Sequence, residues 1–114
     1  MKILHVAIVA VLSFGLTGCV VSEQKFVQSR TIIKSRPDIR AKLINECVRD
    51  ANALSKDKRE LYAELVDLTP ATFSQGYCRR VMRSYLSGRI TYQDYKDMAH
   101  GKPTLRILRM LKGK

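Results

Sequence analysis

At 114 residues, 46 % of them hydrophobic and 27 % charged, the chain is long enough for one small domain and too apolar to be read as disordered. Its 21 Lys and Arg against 10 Asp and Glu give a net charge of +11, which bears on attraction to polyanions and not on the fold. The absence of Trp and the presence of only three Phe leave few platforms for stacking bases, which argues against nucleic acid as the polyanion.

The first 18 residues carry a basic residue at Lys2, an apolar run from Ile3 to Leu16, and small residues before Cys19. This is the layout of a secretory signal, and the run is too short for a spanning helix. The stretch Leu16-Thr17-Gly18-Cys19 resembles the lipobox of bacterial lipoproteins. That resemblance implies a cut before Cys19 and a diacylglycerol and an N-acyl chain on the new N-terminal cysteine, with no other cofactor. It also implies sorting to the outer membrane, because Val20 and not Asp follows the cysteine. In an exported chain, anionic lipid head groups are the polyanion within reach.

Residues 19–36 mix Ser22, Gln24, Gln28, Ser29 and Ser35 with scattered apolar residues and show no sustained period. They read as a lipid-anchored tether, with one helical turn near Phe26 and Val27. The domain proper is expected over 37–114.

Pro37 suits a first helical turn, with Ser35 as cap candidate and Asp38 favourable to the helix dipole. Ile39, Leu43, Ile44, Cys47, Val48, Ala51 and Leu54 then form one stripe, predicting a helix over about 37–54. Ser55 opens a second helix with Leu61, Leu65 and Tyr62 inward, ending near Leu68 because Pro70 follows. Thr72 and Gln75 have capping-box spacing for a third, with Phe73, Tyr77, Cys78, Val81, Met82, Tyr85 and Leu86 on one face. Gly76 costs this helix some propensity or permits close packing, and Gly88 ends it. Thr91 caps a short helix with Tyr92, Tyr95 and Met98 inward, and Thr104 caps a last segment over 105–112. No β-branched alternation is present. The predicted fold is all-α: a small bundle of four to five short helices.

With Cys19 assigned to lipid by the lipobox resemblance, Cys47 and Cys78 remain, both on apolar stripes. Export permits a disulfide between them, worth roughly 3.5 kcal/mol on a chain-entropy account. Two free buried thiols are the alternative. A zinc site is disfavoured, since there is no CxxC and no histidine close in sequence.

Catalytic constellations are lacking. His100 is the one histidine outside the signal, no GxSxG or phosphate loop is present, and the chain reads as a non-enzyme. Asp57, Glu60, Glu64 and Asp67 read as the solvated face of helix two, with a partner-docking acidic strip as the sharper alternative. Arg79, Arg80, Arg83 and Arg89, then Arg106, Arg109 and Lys112, are candidate contacts for anionic lipid or lipopolysaccharide head groups or for an envelope protein. The segment over 105–112 either packs on the domain or lies on the membrane.

Two further resemblances are local. The stretch from Ser87 to Tyr95 is similar to a Gly-x-Ile-Thr-x-x-x-aromatic turn joining two helices in short bacterial helical modules, which implies a structural hairpin. Arg36-Pro37-Asp38-Ile39-Arg40 followed by Cys47 resembles the start of small plasmid entry-exclusion lipoproteins. The functional expectation is a small, membrane-anchored envelope protein with an interaction role, or else an assembly or exclusion accessory of a secretion or conjugation apparatus.

Overall fold

Ser22 opens the fold. Its backbone is extended and its Oγ accepts from Lys25 N at 3.3 Å, so helix α1, Glu23–Lys34, begins four residues after Cys19. The computed structural model describes residues 20–99 and 104–112; the expected signal over 1–18, Cys19 with its lipobox resemblance, His100 and Pro103 lie outside them. After α1 come α2 (Pro37–Asn52), α3 (Lys56–Leu65), α4 (Phe73–Leu86), α5 (Tyr92–Ala99) and α6 (Leu105–Leu111), with no strand among the described residues.

The tether expected over 19–36 is corrected by α1. Phe26, Ser29 and Ile33 are all buried, at i, i+3 and i+7, and the helix packs on α2 and α4. The stripe is hidden in the sequence because its middle member is a serine while Val27 and Ile32, next to it, face outward. Ser35 is also reassigned. It closes α1, donating its hydroxyl to Ile32 O at 2.9 Å, and α2 starts on Pro37 behind Arg36, with no side-chain cap.

Helix α4 is the axis of the domain. It packs against α1, α2, α3 and α6 and buries Phe73, Ser74, Tyr77, Cys78, Val81, Met82, Ser84 and Tyr85. Leu43, Cys47 and Ala51 of α2 face it at successive i+4 steps, and the Cys47–Cys78 disulfide ties the two helices, with Cα atoms 5.9 Å apart. Both cysteines are buried, so this bond staples the middle of the core.

The inward face of α3 differs from expectation. Leu61 and Leu65 are exposed (53 % and 39 %), whereas Ala63 and Val66 are fully buried and Tyr62 stacks on Phe73. The short helix turns toward α4 the face on which Tyr62 reaches an aromatic partner, leaving both leucines on the other side. It also ends early, at Leu65. Asp67 adopts φ 58°, its N–H bonds Glu64 O at 3.3 Å and Leu68 N–H bonds Ala63 O at 2.8 Å, a Schellman closure on a residue other than glycine.

The same closure recurs where glycine was anticipated. Gly88 has φ 83°, with Gly88 N on Tyr85 O and Arg89 N on Ser84 O at 3.1 and 2.9 Å. The Thr72–Gln75 capping box does not form. Thr72 is already in the helical region, and its hydroxyl instead meets that of Thr69 at 2.8 Å, bracing the turn around Pro70. Gly76 allows close packing, since a Cβ there would lie 2.8 Å from a Leu68 methyl.

Thr91 and Asp94 cap α5 reciprocally, Thr91 N to Asp94 Oδ2 at 2.8 Å and Asp94 N to Thr91 Oγ1 at 3.1 Å. Thr104 caps α6 through Ile107 N at 3.2 Å. Ile107, Leu108 and Leu111 are buried, so the basic C-terminal segment packs on the domain.

Burial raises the phenol pKa of Tyr77 and Tyr85 well above the ordinary tyrosine value. For a group whose folded pKa is raised, stability is intact below the unfolded value near 10 and falls as pH rises past it. The domain should therefore lose up to about 1.4 kcal/mol per pH unit for each of these tyrosines above about pH 10. An alkaline titration followed together by phenolate absorbance and circular dichroism checks this: the two buried phenols should ionise only as helicity is lost.

Candidate functional site

The start of the described chain is gripped at once. Val21 N–H donates to Tyr95 Oη at 2.9 Å, and Tyr92 Oη donates to Val21 O at 2.7 Å. One turn on, Tyr85 Oη donates to Phe26 O at 2.7 Å. The Phe26 ring lies 5.1, 5.6 and 5.2 Å from the rings of Tyr85, Tyr92 and Tyr95. Both backbone groups of Val21 are thus satisfied by α5 side chains, and the aromatic cluster beneath holds the first turn of α1.

Arg30 completes this end. Its Nε and Nη2 donate to Tyr85 O and Ile90 O at 2.8 and 3.2 Å, and its guanidinium lies over the Phe26 and Tyr85 rings. Lys96 Nζ sits 5.1 Å from the centre of the Tyr92 ring. The cluster occupies the C-terminal end of α4. Phe73, which stacks with Tyr62 of α3, marks the other end, about 18 Å away at the helical rise. Sequence reading placed Tyr92 and Tyr95 inward but had no signal for what their hydroxyls hold, 71 and 74 positions away.

The basic residues divide. Arg80 Nη1 donates to Val66 O and Leu111 O at 2.6 and 2.9 Å, tying the ends of α3 and α6 to α4. Arg106 is paired with buried Asp94. Arg80 is thus drawn to carbonyls at helix ends that demand a cation, whereas Arg106 neutralises a buried carboxylate while its own side chain stays 57 % exposed. Arg40 acts likewise on Ile33 O and Lys34 O at 3.0 and 2.7 Å. Arg79 and Arg83 are exposed one turn apart on α4, Arg89 is exposed past its end, and Arg109 and Lys112 are exposed on and after α6.

Arg80→Met should destabilise the domain by about 2 kcal/mol, whereas Arg79→Met should change it by less than about 0.5 kcal/mol. Urea melts of the two variants provide the comparison.

Asp57, Glu60, Glu64 and Asp67 are all exposed, and on α3 the first three share the surface with Leu61 and Leu65. Among the described residues no group of three or more His, Cys, Asp or Glu side chains is placed to hold a metal ion, and no helix is long and apolar enough to cross a membrane. Comparison with family models, curated proteins and solved structures finds no match, so the functional reading rests on this chain's own residues.

Proposed function

We propose that the chain is exported, cut before Cys19 and held by lipid on that cysteine, and that the mature protein works as a non-enzymatic interaction protein of the bacterial envelope, on the periplasmic side of the outer membrane. One observation carries this reading. The folded unit begins at Val21, two residues after Cys19, so a cut before the cysteine leaves the whole domain intact and directly attached. The buried Cys47–Cys78 bond supports it, since such bonds form and persist in oxidising compartments. Arg79, Arg83, Arg89, Arg106, Arg109 and Lys112 are exposed and are candidate contacts for anionic head groups.

The exposed Leu61 and Leu65, flanked by Glu60 and Glu64, favour a second reading, in which a protein component of a secretion or conjugation apparatus docks on α3.

Expression of the full chain in a bacterium, followed by intact mass of the purified product and membrane fractionation, tests the anchor. The expected product is residues 19–114 plus acyl lipid, in the membrane fraction, and Cys19→Ser should abolish both. A soluble product of unmodified mass overturns the reading.

A further inference from the structure

We infer that the domain rests directly on the bilayer surface, without a spacer, by the end that carries Val20, Lys25, Arg89, Tyr92 and Lys96; this rests on the lipid-anchor reading of Cys19. The first argument is reach. Val21 is fixed through both its backbone groups by Tyr92 and Tyr95, and only two Cα steps separate it from Cys19, at most about 7 Å. A lipid on Cys19 therefore brings this end of the domain to the head groups. A free segment over 19–36 would have allowed tens of ångströms and any orientation.

Surface chemistry at this end is of interfacial type. Val20 is 42 % exposed, Tyr92 is half-buried with an ammonium over its ring, and Lys25, in the first turn of α1, and Arg89, next to the Ile90 that Arg30 holds, are exposed. An amphipathic aromatic ring and long basic side chains suit a boundary between hydrocarbon and phosphate. Glu23 and Asp97, near Val21 and Lys96 in the chain, offset two of these three basic residues, so the lipid supplies the attachment.

At the far end of α4 stands α3, with Asp57, Glu60 and Glu64 on its surface. Lys56, Lys58 and Arg59 offset those three carboxylates, so charge does not sort the two ends; the tyrosine grip on Val21, two residues from Cys19, is what prevents α3 from turning inward. The occupant of the Tyr92 end is the membrane that holds the anchor, and α3 with Leu61 and Leu65 is presented away from it.

The test uses the full lipidated chain in vesicles of phosphatidylethanolamine and phosphatidylglycerol. Single cysteines at Gln24→Cys, Gln93→Cys and Glu60→Cys carry an environment-sensitive fluorophore. Cys47 and Cys78 are bonded to each other and Cys19 is acylated, so only the introduced thiol reacts. A head-group spin-labelled lipid should quench the probes at 24 and 93 severalfold more strongly than the probe at 60. Ten Gly and Ser residues inserted between Cys19 and Val20 should bring the three to one level. Equal quenching in the unmodified, membrane-bound chain overturns the proposal alone. A chain that carries no lipid and leaves the membrane fraction overturns the anchor reading and this proposal with it.

Discussion

Replacing Cys47 and Cys78 together by alanine is expected to lower the stability of the domain by about 3–4 kcal/mol. The bond closes a sequence separation of 31 between α2 and α4. For a small domain with a total of about 5–15 kcal/mol, such a loss moves the melting temperature by tens of degrees. Alanine avoids burying a hydroxyl at two positions that are 2 % and 0 % exposed. Thermal melts of the variant and of the unmodified chain with and without reductant check this. The reduced chain and the double variant should melt close together and far below the oxidised chain. Denatured, non-reduced protein should yield no reactive thiol from either position. A reduced chain as stable as the oxidised one would show that helix packing alone carries the core.

This pairing was legible because it depends on residue identities and on two apolar stripes of helical period. The same holds for α2, α4, α5 and α6, whose buried positions recur at i+3 and i+4, and for the stop at Gly88 and the caps at Thr91 and Thr104. What escaped was decided by tertiary partners. On α3, the choice between the Leu61–Leu65 face and the Ala63–Val66 face is made by the Tyr62–Phe73 contact, which no local pattern contains. The Schellman turn at Asp67 lacks the glycine that signals one.

The basic residues illustrate a different limit. Composition counts Arg80 and Arg106 with Arg79 and Arg109, yet Arg80 is turned to the carbonyls of Val66 and Leu111 and Arg106, though exposed, is neutralised by Asp94. Their partners lie 14, 31 and 12 positions away, on other helices. A positive net charge therefore overstates the charge displayed to a polyanion.

The larger consequence concerns residues 20–36. Phe26→Ala should cost about 3–5 kcal/mol, because its ring is 1 % exposed and fills the space between Tyr85, Tyr92 and Tyr95. Val27→Ala, one position on and 47 % exposed, should cost less than about 0.5 kcal/mol. A chain shortened to begin at Pro37 should do worse than either: it uncovers Tyr85, Tyr95 and Ile90, leaves Tyr85 Oη without Phe26 O, and removes Arg30 from the carbonyls that close α4. Such a chain should bind a hydrophobic dye and melt without a sharp transition. A dispensable spacer would leave the melting temperature of the shortened chain unchanged and make Phe26→Ala as mild as Val27→Ala. Because α1 is instead a wall of the core, residues 20–36 are not a spacer whose length drift can vary. Any insertion after Val21 that frees the chain must first break the contacts that fold the domain.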